Sequence, residues 1–427
     1  MALNDFKKDY ILRYQDILSK VMVSMKSVGN TRFEPNMKFG DTVTRFVLDL
    51  SNVRVRSFTN LTDQTIDPLG DSTESMTVNV QVGAVFPIAR LEKIQAGPLN
   101  PAMEAGKQVA IKVANHLDAV VLAETRNGFA DFDTGNLTTS ASNGTPITLS
   151  STTVPQMVAQ TYAKLFSNNA SMTNLCWVLD PFSISQIAQY PIGKDLTNQN
   201  TVFINGFSGN VFGAEVYASN NLTGEAVLTS TGAFTDTQTI TIGNGAVSVT
   251  FTTVTSIGST AGNVLIGANA AATLTNLAAA INNPSTTSST QVALSAADQI
   301  KLVDILGIGS ARPNGIAAVA TATTLTIVGL GSSRLVVTET QTNASWTSNF
   351  IHCYYGMKGA VDVAVQDQPE VETRDEAKQL TTNIFNNVVA AVKTFTDGTQ
   401  KFLDVLISNP LYGWVSGVRL VTLEICP

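Results

Sequence analysis

Histidine and cysteine are scarce in this chain. Two histidines, His116 and His352, and three cysteines, Cys176, Cys353 and Cys426, are spread over 427 residues. Neither histidine sits in a His-Glu-x-x-His, Cys/His or nucleophile-elbow setting, so the usual signatures of zinc and serine or cysteine hydrolases are missing. Three widely spaced cysteines suit neither a disulfide framework nor a zinc site and read as reduced, buried thiols. In that setting N-x-Ser/Thr triplets such as Asn60-Leu61-Thr62 carry no meaning. A Gly-x-x-x-x-Gly-Lys-Ser/Thr phosphate loop is also missing. The expectation is a chain with no catalytic residue, no metal and no cofactor.

Long apolar runs are missing too. No stretch of about 18 uninterrupted apolar residues exists, so no bilayer-spanning segment is expected. Asp5, Lys7, Lys8 and Asp9 stand where a secretory signal needs an apolar core, which points to a reducing cytoplasm. A formal net charge of -7 argues against a sequence-specific DNA-binding protein. The charge is uneven, with ten Lys or Arg against six Asp or Glu over residues 1–60, a locally basic end that can face a polyanion.

Charge is scarcest between Thr223 and Phe350, where only eight charged residues occur among Ala, Thr, Gly, Val, Ser and Asn. The flanking sequence is far more charged. Such a composition shift reads as a small β-rich α+β domain inserted into a host loop whose ends lie close together at the surface. At 44% apolar residues the whole chain can bury a sizeable core in two or three domains.

Apolar residues at Phe6, Tyr10, Tyr14, Ile17, Leu18, Val21, Met25 and Val28 fall on one helical face, predicting an N-terminal amphipathic helix or arm. Period-two alternation over Arg45–Leu50 and Met76–Val82 predicts two strands flanking about 25 polar residues, an extended arm. Its tip is acidic (Asp63, Asp67, Asp71, Glu74) and its base is basic (Arg45, Arg54, Arg56, Arg90, Lys93). Asn100-Pro101 with Glu104 starts a helix that ends near Gly128, about 40 Å long. A helix over Val154–Phe166, a buried strand at Cys176–Leu179 and a helix begun by Asp180-Pro181 follow. Glycines at 206, 209 and 213 precede a strand.

Inside the low-charge segment, Gly243-Asn244-Gly245 between Thr239–Ile242 and Val247–Phe251 is a hairpin signal. Thr273–Asn282 reads as a helix, Ser295 with Asp298 starts another, and strands at Thr324–Val328 and Arg334–Glu339 close the segment. Beyond it, His352–Gln366 is strand-like. Asn386–Phe395 and Lys401–Ser408 read as a hairpin across Asp397-Gly398, before an apolar tail from Leu411 to Pro427. Asp131-Phe132-Asp133-Thr134-Gly135 resembles the start of a calcium loop, yet its twelfth position, Ser142, lacks the bidentate glutamate. Asp362, Asp367, Glu370 and Glu372 read as a solvated edge.

The order of these pieces resembles the major capsid proteins of tailed bacteriophages. Gly206–Leu222 looks like their spaced glycines before a strand and a Ser-Asn pair, and Lys358-Gly359-Ala360-Val361 leads into Val363-Ala364-Val365. The resemblance implies an α+β Johnson fold of the Hong Kong 97 type: an N-terminal arm (residues 1–38), an extended hairpin arm (39–99), a spine helix with the first parts of the peripheral and axial domains (100–222), an insert (223–349), the remaining core (350–409) and a tail (410–427). An insert at this point is similar to the coats of Salmonella-type short-tailed phages, although its sequence looks like a small module spread among phage structural proteins.

What this implies is a structural protein that assembles as hexamers and pentamers into an icosahedral virion shell around double-stranded DNA, built in the bacterial cytoplasm. Its implied partners are a separate scaffolding protein, a portal and a decoration protein, with no membrane. Lys7, Lys8, Arg13, Lys20 and Lys26 would face packaged DNA without sequence preference, and the arm tip would reach basic groups of a neighbouring subunit. Some relatives cross-link through a lysine on the arm; no lysine occurs between Gly40 and Glu92. A tail-tube or adhesin-like protein is the alternative, and a phage-associated hydrolase the third.

Overall fold

The protein's structure, a computed structural model, describes residues 22–33, 42–49, 67, 70–89, 101–139, 141–168, 170–171, 173–189, 210–211, 213–307, 317–331, 335–376 and 381–409. Most of the N-terminal arm and the tail from residue 410 lie outside the described residues. The first elements are helix α1, Ser24–Ser27, and strand β1, Gly29–Asn30. Strands β2, Thr42–Asp49, and β3, Gly70–Thr77, pair antiparallel, with Arg45 opposite Glu74 and Leu48 opposite Asp71.

Alternation over Met76–Val82 predicts one strand, but the chain breaks at Val78 and Asn79 before β4, Val80–Ala89. The Asn79 amide explains the break. Its Nδ2 donates to Val392 O and its Oδ1 accepts from Val392 N, both at 3.1 Å, so a side chain replaces backbone pairing there.

Helix α2, Pro101–Ala123, spans 23 residues, about 35 Å, and continues into a 3-10 turn, Glu124–Asn127. Next come β5, Asp131–Phe132; α3, Thr134–Thr138; α4, Thr153–Ser167; β6, Leu175–Leu179; and α5, Pro181–Gln189. The Asp180 carboxylate starts α5 by accepting from the amides of Phe182 and Ser183. Strands β7, Asn210–Val211, and β8, Ala214–Ala218, flank Gly213, whose φ of +76° suits a residue without Cβ.

The low-charge segment contributes β9, Gly224–Ser230; β10, Gln238–Gly243; β11, Ser248–Val254; β12, Asn263–Leu265; α6, Ala270–Asn282; α7, Ala296–Leu306; β13, Ala318–Ala320; β14, Thr324–Gly329; and β15, Val336–Glu339. Ser295 caps α7, its Oγ accepting from Asp298 N at 3.1 Å and donating to Asp298 Oδ2 at 2.7 Å. The chain ends with β16, Ala344–Met357; β17, Val361–Glu376; β18, Thr381–Lys393; α8, Thr396–Thr399; and β19, Phe402–Ser408.

These elements form two compact units. Of the described residues, one comprises those within 22–25, 29–114 and 359–399. Its sheet has the order β1-β17-β18-β4, with β1 parallel to β17 and the other pairs antiparallel, and β2–β3 form a two-stranded sheet of their own. Met76, Ala364, Ala391 and Phe395 form one buried cluster in it, with Phe33, Val43 and Val78 packed against them.

The other unit comprises the described residues within 26–28, 115–358 and 400–409. Its nine-stranded sheet runs β13-β14-β9-β16-β6-β8-β7, with β19 on β16 and β5 on β19; a second sheet runs β12-β11-β10-β15. Residues 350–355 of β16 are all buried, as expected of a strand covered on both faces. The low-charge segment has its own core, from Ala226 through Phe251, Leu277 and Ile305 to Trp346. Its ends adjoin: Glu225 on β9 opposes Phe350 on β16, and β9 and β16 belong to the nine-stranded sheet.

Two sequence expectations are corrected here. The apolar run His352–Gln366 is two strands in different sheets, separated at Lys358-Gly359-Ala360, where Gly359 takes a φ of +72°. Asp397-Gly398 is no hairpin turn, because β18 lies between β17 and β4 whereas β19 pairs with β16 and β5. Gly398 serves close approach instead: a Cβ there would meet Ala360 O at 2.4 Å.

Candidate functional site

Charged groups on buried strands must find partners, because an unpaired charge in an apolar interior is costly. In the larger unit Glu225 on β9, His352 on β16 and Asp404 on β19 are such groups. The antiparallel register sets Phe350 opposite Glu225 and His352 opposite Leu406, which brings the three side chains together. His352 Nδ1 lies 2.6 Å from Asp404 Oδ2 and its Nε2 lies 3.2 Å from Glu225 Oε2. Arg126, from the 3-10 turn, adds a 3.0 Å ion pair to Glu225 Oε2.

Burial by itself would lower the pKa of His352. The charge and hydrogen bond of Asp404, with the hydrogen bond of Glu225, outweigh it and raise the group to about 9. Glu225 shows the reciprocal effect: burial pushes it up, but His352 and Arg126 hold it below the usual carboxylate range. Asp131 on β5 is raised by burial and then by the charge of Asp404. An imidazolium donating from both ring nitrogens has no lone pair with which to take a substrate proton, so this constellation is a clasp between strands and not a general base.

The smaller unit carries a second cluster. Arg45 donates to Glu74 Oε2 from Nε at 3.1 Å and from Nη2 at 2.7 Å, pairs with Asp397 Oδ1 at 2.5 Å, and stacks 4.1 Å from the Phe395 ring. The Thr396 hydroxyl donates to Glu74 Oε1. Burial would raise Glu74, but the hydrogen bonds of Thr396 and Arg45 lower it. Beside this cluster Arg32 pairs with buried Asp362 at 2.8 Å; burial raises Asp362 against the opposing pull of Arg32.

Glu74 therefore departs from its expected place at the arm tip. It lies on β3 opposite Arg45 of the same chain, and its carboxylate is occupied there. Asp71 is exposed on β3 and Asp67 is half-buried on the connection before it. Lys26 is exposed on α1. Asp63, Arg54, Arg56, Arg90, Lys93, Lys7, Lys8, Arg13 and Lys20 lie outside the described residues.

The loop resembling a calcium site is closed by the chain's own donors. Asp133 Oδ1 accepts from the amides of Gly135 and Asn136, and Oδ2 from Ser142 Oγ at 2.6 Å and the amides of Asn143 and Gly144. Among the described residues no group of three or more His, Cys, Asp or Glu is arranged to hold a metal ion. Among them, too, no helix is long and apolar enough to cross a membrane. His116, whose pKa burial lowers, belongs to α2.

Sequence reading missed the clasp of Glu225, His352, Asp404 and Arg126, and the surface trio in which Lys358 and Tyr217 both bond Glu215. A detectable signal existed for the clasp: Asp404 interrupts Phe402-Leu403 and Val405-Leu406-Ile407, and a carboxylate inside such a run needs a cation.

No protein-family profile matches the sequence. No curated protein matches it either. Among solved structures, the chain is similar to one described as Mycobacterium phage Che8, with a TM-score of 0.46 and 12% identity over 89% of each chain. It is similar to the capsid of Cyanophage P-SCSP1u at 0.42 and 10% identity, covering 90% of this chain and 86% of that one. A virus-like particle from Pyrococcus furiosus gives 0.40 and 6% identity, covering 94% and 99%. Likeness at these scores assigns neither a fold nor a function to this chain.

Proposed function

We propose that the chain is a shell-forming coat protein of a tailed phage. The observation that carries this reading is the order of the elements. A two-stranded hairpin in a sheet of its own, β2–β3, is followed by the 23-residue helix α2 and then by a mixed sheet that begins with β5 and β6 and takes in the Gly213 turn between β7 and β8. That sequence of parts is the one the resemblance implies. The low-charge segment then rises from the β9–β16 pair as an addition with a core of its own.

In this reading the protein's work is tiling, in which many modest interfaces repeat through hexamers and pentamers. A separate scaffolding protein, a portal and a decoration protein would be its partners in a virion assembled in the bacterial cytoplasm. The connection between β2 and β3, with Asp63 and Asp67, and Asp71 at the start of β3 would reach Arg54, Arg56, Arg90 and Lys93 of a neighbour. Glu74 and Arg45 would instead brace the root of the arm. The low-charge segment would face outward to brace neighbours or bind a host surface, and Lys7, Lys8, Arg13, Lys20 and Lys26 would soften repulsion from packaged DNA.

Sedimentation velocity over rising protein concentration tests the reading. Species at the mass of five and six chains, converting to shells, are the expected result. Salt should weaken assembly, because exposed ion pairs are screened within about 10 Å at 0.1 M. A monomer at every concentration and salt, with and without the products of neighbouring genes, would overturn it.

A further inference from the structure

Helix α4 has two apolar faces and only one is covered. Val154, Met157, Val158, Thr161 and Leu165 point into the unit and are buried. Ala159, Tyr162, Ala163 and Phe166 occupy positions i, i+3, i+4 and i+7 of a second stripe, and all four are exposed, Phe166 to 61%. A surface helix ordinarily carries polar residues there. The second stripe holds no charge and offers an apolar surface to a partner of matching chemistry.

The described chain ends close by. Ser408, the last residue of β19, donates its amide to Ile147 O at 2.9 Å, and its hydroxyl lies 3.3 Å from Thr148 Oγ1. Thr148 O in turn accepts from Thr153 Oγ1 at 2.7 Å, at the first residue of α4. At the other end of α4, Asn168 Nδ2 bonds Gln400 O and Oε1, just before β19 begins. The two elements therefore lie side by side, and the chain leaves Asn409 next to the start of the helix.

Residues 410–427 follow. They include Leu411, Tyr412, Trp414, Val415, Val418 and Leu420, with Arg419 and Glu424 as their charges. Val421, Leu423 and Ile425 alternate with Thr422 and Glu424, so an extended backbone would present one apolar edge. The stripe is about 10 Å long at 1.5 Å per residue. The segment can reach roughly 60 Å when extended, so length is no obstacle.

We infer that the C-terminal segment of the same chain docks its apolar edge on the Ala159, Tyr162, Ala163 and Phe166 stripe of α4. The docking needs no second subunit and does not rest on the shell reading.

Two properties of the sequence make this testable in the full-length protein. Arg419 is a trypsin site inside the segment, and Cys426 is a thiol near its end, whereas Cys176 and Cys353 are buried. Phe166→Asp, at an exposed position that leaves the buried face of α4 intact, should speed tryptic cleavage at Arg419 at least tenfold. Ala163→Cys, treated with a short thiol cross-linker, should give a link to Cys426 within one chain by peptide mass spectrometry; Ser256→Cys, exposed in the low-charge segment, should give none. Cleavage at Arg419 unchanged by Phe166→Asp overturns the docking. A 163–426 link that joins two chains also overturns it, by giving the stripe to a neighbour's segment.

Discussion

His352 on β16 and Asp404 on β19 lie with Nδ1 and Oδ2 2.6 Å apart, and Glu225 closes the other side of the ring. The groups facing the imidazole are thus Asp404 and Glu225, with Arg126 on Glu225 and Asp131 beside Asp404. The three strands they tie together are the first strand of the low-charge segment, β16, which carries the chain out of that segment, and β19 beyond it.

Stability should fall as the solution turns alkaline. The folded chain holds a proton on His352 up to about 9, whereas an unfolded histidine releases it near 6.5. In that window the folded state binds more protons, so the stabilisation is fully present below about 6.5 and is lost as pH rises through about 9. Denaturant midpoints at steps between these values should drop by the equivalent of about 2–3 kcal/mol, and His352→Gln should flatten the slope.

Glu225→Ala should be among the more damaging single changes to the larger unit. It strips His352 and Arg126 of a shared acceptor inside the sheet and should cost about 3–5 kcal/mol, read from chemical denaturation. Asp404→Ala in the same background should cost less than it does alone, because the two carboxylates serve one imidazolium.

Gly356→Ala tests the packing of β16 on β19. A Cβ at Gly356 would lie 2.3 Å from Phe402 Cβ and 2.5 Å from Lys401 O, and the backbone cannot yield without disturbing the pair. A loss of at least about 1–3 kcal/mol is expected, measured as a lowered melting temperature.

Leu277→Ala asks whether the low-charge segment unfolds by itself. Leu277 on α6 is fully buried in that segment's core, so the substitution should cost about 2–5 kcal/mol. Because β9 and β16 also belong to the nine-stranded sheet, the loss should appear in one transition shared with Trp177 on β6, not as a separate early melt.

Local signals were the legible part of the sequence. Gly243-Asn244-Gly245, the Ser295 and Asp298 capping pair, Asp180-Pro181 and the Cys176–Leu179 strand each state their geometry within a few residues. Two of the misreadings share a cause. Asp397-Gly398 looks like a turn locally, but which strand β18 pairs with is decided by β17 and β4, far away in sequence. Strand β3 hid because Gly70–Thr77 is polar on both faces and shows little alternation. The His352 clasp hid for the same reason as the Asp397 pairing: its members are 52 and 127 residues from the histidine.

Electron microscopy of the purified full-length chain, alone and with the products of its neighbouring genes, tests the central claim most directly. Closed polyhedral shells, or rings of six and five subunits, are the expected images. Tubes or trimers, or single chains in every mixture, would contradict the coat-protein reading.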